Sequence, residues 1–125
     1  MAKTRNKILI VEDEVDLLGV LSQKFSIEKF EIIQAPNGEV GLEQALRHHP
    51  DLILLDIVMP VMDGMTMLRK LREDSWGKNA QVILLTNLSD GKKVAEAMEH
   101  GVYEYLVKAD WNINDVVEKV RSKLK

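Results

Sequence analysis

Three unbroken runs of four apolar residues constrain this chain more than any other feature: Ile8-Leu9-Ile10-Val11, Leu52-Ile53-Leu54-Leu55 and Val82-Ile83-Leu84-Leu85. A strand with one wet face alternates apolar and polar residues. A solid run belongs to a strand covered on both faces. Sheets of that kind are parallel, and parallel neighbours require crossover connections, usually helices. The segments between the runs supply them. Leu17, Leu18, Leu21 and Phe25 recur at helical spacing over residues 14–28, and Val40, Leu42, Ala45 and Leu46 mark a helix ending near His49-Pro50. Residues 65–72 read as a third helix, after Pro60 and Asp63-Gly64. Ser89 or Asp90 is expected to cap a fourth, stopping at Gly101, and residues 112–124 form a fifth. Residues 30–35, closed by Pro36-Asn37-Gly38, and residues 103–107 complete the set of strands.

The expected architecture is therefore α/β and doubly wound: five parallel strands alternating with five helices that cover both faces of the sheet. The 125 residues fit one domain, 1–125, with no internal repeat or linker. The absence of cysteine excludes disulfides, thiolate metal sites and a cysteine nucleophile. A net charge of −3 argues against a dedicated nucleic-acid surface. No stretch approaches the roughly 18 apolar residues that cross a bilayer. The basic start, with Lys3, Arg5 and Lys7, precedes too short an apolar run to be a signal peptide, so a cytoplasmic protein is expected.

In open parallel sheets, ligands bind beyond the carboxyl ends of the strands. Glu12 and Asp13 follow the first run, Asp56 the third strand, Thr86 the fourth and Lys108 the fifth. The second strand ends with no such group, as suits an edge. Taken singly, each has an ordinary reading: acids open helices, threonines sit in turns, and lysines are solvated. Together they bring three carboxylates, a hydroxyl and an amine to one end of one sheet. Crowded carboxylates raise one another's pKa or recruit a cation. An all-oxygen set favours a hard ion, and Mg²⁺ takes few carboxylates while leaving positions for phosphate oxygens. A carboxylate also serves as nucleophile in phosphoryl transfer, and Lys108 can pair with phosphoryl oxygens as a point charge.

The chain resembles the receiver domain of bacterial response regulators over nearly its whole length. The resemblance rests on Ile8-Leu9-Ile10-Val11-Glu12-Asp13-Glu14, on Asp51-Leu52-Ile53-Leu54-Leu55-Asp56 followed by Met59-Pro60 and Asp63-Gly64, on Leu85-Thr86, and on Tyr105-Leu106-Val107-Lys108. It implies a flavodoxin-like (βα)5 fold with strand order 2-1-3-4-5 and a single-domain protein of the chemotaxis-regulator kind. Asp56 would be the phosphoacceptor. Glu12, Asp13 and Asp56 would hold Mg²⁺, one of them through water, with the backbone carbonyl of Val58 as a further ligand. Thr86 would close on the phosphoryl group, Tyr105 would turn inward behind it, and Lys108 would pair with the phosphate. The donor would be a histidine kinase or a histidine phosphotransfer protein. The output would be an unknown downstream protein reading the face of the fourth helix, fifth strand and fifth helix, with Lys92, Val94, Tyr105 and Trp111 as candidates. A monomer is expected, with a dimer through that face as the alternative. The chain is expected to stand alone rather than to be a piece of a longer protein.

Two positions depart from the family pattern. Ala109 follows Lys108 where proline is usual, and Asn87 follows Thr86 where a small residue is usual. A cis bond before a non-proline residue costs about 3 kcal/mol, so the sequence leaves the placement of Lys108 open. Three other functions compete with the switch. A phosphatase using Asp56 would want a second acid where Val58 stands. A flavodoxin-like electron carrier would want a phosphate loop where Glu12-Asp13-Glu14 stands. A receiver-like domain that is never phosphorylated would lack essential groups that are all present here. Met59, Met62, Met65 and Met67 read as packing. His48, His49 and His100 read as helix-end residues, and Trp76 as a loop residue.

Overall fold

The computed structural model describes residues 5–87, 91–109 and 112–124. Five strands, β1 (Lys7–Val11), β2 (Glu31–Ala35), β3 (Leu52–Asp56), β4 (Val82–Thr86) and β5 (Tyr105–Val107), form one parallel sheet in the order β2-β1-β3-β4-β5. The helices are α1 (Val15–Ile27), α2 (Gly38–His48), α3 (Gly64–Arg72), α4 (Gly91–Glu99) and α5 (Ile113–Leu124). The expected doubly wound α/β fold and its strand order are thus observed, and β2 is an edge.

The solid apolar runs divide residue by residue between the two faces, because successive strand side chains point to opposite sides. Ile8, Ile10, Leu52, Leu54, Ile83 and Leu85 pack with Leu21 and Phe25 of α1 and Val116, Val117 and Val120 of α5. Leu9, Val11, Ile53, Leu55, Val82 and Leu84 pack on the other side with Ala45 of α2, Met65, Met67, Leu68 and Leu71 of α3, and Ala97 of α4. Met59 is buried in the same layer and Met62 packs against it, so the methionines serve packing as expected.

Boundaries shift where polar residues continue a strand. Asp56 and Thr86 are the last residues of β3 and β4 rather than the first residues beyond them. β5 is shorter than expected and starts at Tyr105, because Tyr103 is exposed and pairs with no strand. A 3₁₀ turn over Gly77–Asn79 follows Trp76 in what read as a loop. The capping residues expected for the fourth helix, Ser89 and Asp90, lie outside the described residues. At its other end Gly101 takes φ +80°, the left-handed stop that glycine permits.

Helix starts differ in how they are capped. Asn37 and Asp63 accept backbone N–H bonds from Val40 and Thr66, at 2.9 and 2.8 Å. Glu14, at the same position of α1, makes no side-chain cap. α4 is the helix least embedded in the core, burying only Ala97. Its far end is held by Arg72, half-buried on α3, which donates from Nε to His100 O at 2.7 Å and from Nη1 to the carbonyls of Gly77 and Ala80 at 2.6 and 2.9 Å.

Two residues make the β3–α3 loop tight. A Cβ on Gly64 would stand 2.1 Å from the backbone carbonyl oxygen of Asp56, so only glycine lets α3 start this close to the end of β3. Gly64→Ala is expected to cost about 1–3 kcal/mol in urea denaturation, the range for forcing excess volume into a packed site. Val61 sits in the left-handed region with φ 68° and is 74% exposed. That conformation costs a β-branched residue about 1–2 kcal/mol, whereas asparagine tolerates it. Val61→Asn is therefore expected to stabilise the chain by roughly 1 kcal/mol in the same assay. An unchanged or lower midpoint would show that the loop does not store that strain.

Candidate functional site

The strand order reverses direction of winding between β1 and β3, so a crevice opens beyond their carboxyl ends. The acids stand there. Glu12 directly follows β1 and is fully buried; its main chain is held by a bond from Glu12 N to Ala35 O at 3.0 Å. Asp13 comes next and is open to solvent. Asp56 ends β3 and is 4% exposed, and its Oδ1 accepts a bond from the N–H of Ile57 at 2.9 Å. Ligand atoms of Glu12, Asp13 and Asp56 all lie within 4.8 Å of one another.

Lys108, just after β5, reaches across the end of β4 into this cluster. Its backbone N–H is anchored to Thr86 O at 2.7 Å. Its ammonium lies 3.1 Å from Asp56 Oδ1, 2.9 Å from Glu12 Oε1 and 3.5 Å from Glu14 Oε1. No peptide bond among the described residues is cis, so the bond to Ala109 is trans, and Lys108 reaches the site nonetheless. Burial opposes the charge on Lys108, but bonds and attraction to Glu12 and Asp56 outweigh it and hold its pKa above the usual lysine value. Asp56 is affected oppositely. Burial, then repulsion from Glu12, pushes its carboxyl from the usual 3.8 up to about 7, and Lys108 only partly counters this.

One ammonium thus faces more carboxylate than it neutralises. Glu12 Oε1 and Asp56 Oδ1, 2.9 and 3.1 Å from Lys108 Nζ, share that one cation. A hard divalent cation suits such a set: acid oxygens only, converging, with more negative charge than one ammonium offsets. Val58, whose carbonyl was the fourth expected ligand, lies two residues beyond Asp56 with an exposed side chain.

Thr86 is 1% exposed and its hydroxyl has no hydrogen-bond partner. Hydroxyls buried this deeply are nearly always bonded. Beside it lies a cleft of about 290 Å³ lined by Thr86, Asn87, Gly91, Val94, Tyr105 and Val107. Tyr105 is 44% exposed, so in this structure it points outward rather than inward behind Thr86. Lys92 is exposed on α4, and Trp111 lies outside the described residues. A larger cleft of about 400 Å³, with Arg5, Phe30 and Arg121 in its walls, lies at the opposite end of the sheet and holds none of these groups.

Three features went unread in the sequence. Glu14 joins the Lys108 cluster, Arg72 pins the end of α4, and His49 stacks on Trp76 with centroids 4.3 Å apart and planes 8° from parallel. Only Glu14 carried a signal, its adjacency to Glu12 and Asp13.

A doubly wound sheet with an acid cluster and a lysine at its switch point defines an α/β domain of the flavodoxin-like class with its polar site beyond the strand ends, and direct comparison gives the family. A model of the response regulator receiver domain matches residues 8–121, and the chain belongs to that family. Among curated proteins it is 36% identical over 118 residues to the response regulator PleD of Caulobacter vibrioides, covering 93% of this chain and 25% of that one. It is 33% identical over 121 residues to a probable transcriptional regulator, ycf27, of Porphyridium aerugineum, covering 97% and 49%. The chain therefore spans about a quarter to a half of these relatives. Solved structures match end to end. The chemotaxis response regulator CheY4 of Vibrio cholerae superposes with TM-score 0.88 at 26% identity, covering 97% of this chain and all of that one. The CheX–CheY–beryllofluoride–Mg²⁺ complex of Borrelia burgdorferi gives 0.83 at 34% identity, covering 94% and 87%.

The raised carboxyl of Asp56 has a thermodynamic consequence. Its folded pKa, about 7, lies above the ordinary 3.8, so the folded chain binds this proton more tightly than the unfolded one. The resulting stabilisation is complete below the ordinary value and is lost as pH rises through the folded one. Asp56→Asn removes the buried charge. In EDTA it is expected to raise stability by up to about 4 kcal/mol at pH 8, with the gain vanishing near pH 4. A gain independent of pH would remove charge crowding as the cause.

Proposed function

We propose that this domain is a phosphorylation-dependent signalling switch of a two-component or phosphorelay pathway, with Asp56 as phosphoacceptor. One observation carries the reading. A nearly buried aspartate at the end of β3, crowded by Glu12 and Asp13, shares the ammonium of Lys108. Surface acids have no need of such an arrangement.

In the proposed reaction an oxygen of the Asp56 carboxylate forms a bond to phosphorus. The bond from phosphorus to the donor breaks as the donor group leaves with its electron pair. From a phosphohistidine that bond is P–N and the leaving group is the imidazole, so the donor is a histidine kinase or a histidine phosphotransfer protein. Lys108 is placed to follow the phosphoryl oxygens, since its ammonium already touches Asp56. Mg²⁺ would be held by Glu12, Asp13, Asp56 and the Val58 carbonyl, and there it would neutralise the acids and the phosphoryl charge. The Mg²⁺ and beryllofluoride in the Borrelia burgdorferi complex support this assignment. The bystander groups matter as well. Val58 offers no acid for general acid–base work, which favours a switch over a phosphatase acting on external esters.

The output reading rests on Thr86 and Tyr105. An unbonded buried hydroxyl gains a partner when a phosphoryl oxygen arrives on the neighbouring strand end. Thr86 then moves toward it, and Tyr105 turns into the cleft it already borders. Two discrete packings result, and a downstream protein with differential affinity for them reads the face of α4, β5 and α5. No helix among the described residues is long and apolar enough to cross a membrane, and the proposed location is the cytoplasm.

Incubation with acetyl phosphate and Mg²⁺ is expected to add one phosphoryl group by intact mass, and EDTA or Asp56→Asn to abolish it. Full labelling of Asp56→Asn would place the acceptor elsewhere.

A further inference from the structure

We propose that Glu14 is a positioning residue that occupies Lys108 in the resting state and competes with the phosphoryl group for its ammonium, so that it sets how readily the site accepts an anion. This rests on the phosphoacceptor reading of Asp56.

Two independent observations converge on Glu14. It holds the position where α2 and α3 place a capping side chain, yet its carboxylate caps nothing. That carboxylate lies instead 3.5 Å from Lys108 Nζ, while its own N–H donates to Glu12 Oε2 at 3.0 Å. The partners of Lys108 are unequal. Glu12 and Asp56 are buried at 2.9 and 3.1 Å, whereas the Glu14 side chain is 64% exposed and is the longest contact. An ammonium has three hydrogens, and three acids lie within 3.5 Å of this one. When phosphoryl oxygens arrive on Asp56, Lys108 can meet them only by releasing a partner. The solvent-exposed Glu14 is the one that water can receive at little cost. Until then its negative charge stands at the exposed side of the cluster, where it repels an anion.

The same charge has opposite effects on the two species that meet at this site. It attracts a divalent cation and repels a phosphoryl donor. Neutralising it should weaken the first interaction and strengthen the second, a pattern that simple damage to the site cannot produce.

The test compares the wild-type chain with Glu14→Gln and Glu14→Lys. Initial rates of labelling by acetyl phosphate are measured by intact mass at saturating Mg²⁺ and low ionic strength. Mg²⁺ affinity is measured separately by calorimetry without donor. Glu14→Gln is expected to label about two- to fivefold faster and to bind Mg²⁺ more weakly by a similar factor, the range for one largely exposed charge. Glu14→Lys should go further in both directions. Both differences should shrink toward unity at about 1 M salt, where charges are screened within about 3 Å. Equal labelling rates in wild type and Glu14→Gln, or rate and affinity falling together, would overturn the role of Glu14. A wild-type chain that takes no phosphoryl group would overturn the reading of Asp56 instead, and the competition with it.

Discussion

Everything distinctive in this domain depends on too much negative charge being held near one ammonium. Glu12 and Asp56 are buried where water cannot screen them, and Lys108 contacts both. Buried charges without full compensation are costly, and the raised carboxyl of Asp56 expresses that cost. The surrounding fold must therefore hold an arrangement that would relax if it could. It does so with rigid parts: two strands buried on both faces, a glycine that brings α3 against the end of β3, and a backbone bond that ties Lys108 to Thr86.

Much of this was legible in the sequence, for identifiable reasons. Solid apolar runs admit only strands covered on both sides, and that alone led to a parallel sheet, its crossovers, and the end at which polar groups should gather. The acids at 12, 13 and 56 and the lysine at 108 are legible because each stands at the carboxyl end of an apolar strand segment. The features that stayed hidden depend on side-chain direction. The pairing of Glu14 with Lys108, the bond from Arg72 to the His100 carbonyl, and the stack of His49 on Trp76 join residues far apart in the chain, through geometry that no periodicity encodes. The fifth strand was read but starts later than expected, and the 3₁₀ turn after Trp76 was missed, because the limits of short elements are decided by tertiary packing, which overrides local pattern.

The two departures from the family pattern have different outcomes. Ala109 leaves Lys108 in place, because the lysine is positioned by its own N–H bond to Thr86 and by the acids at its tip rather than by its neighbour in the chain. Asn87 is exposed and lines the cleft beside Thr86, so its side chain adjoins the space into which Tyr105 would turn. The first change is absorbed by the acid cluster. The second changes the lining of the cleft beside Thr86.

α4 contributes a single side chain, Ala97, to the interior, while Arg72 holds the turn beyond it through backbone carbonyl groups. Neither anchor depends on which residues decorate the helix's outer surface. That surface is free to drift in sequence with little effect on folding, whereas α3, with Met65, Met67, Leu68 and Leu71 inside, is not. If a partner does read this face, as proposed, the α4 part of its contact can be rewritten while Ala97 and Arg72 keep the helix in place.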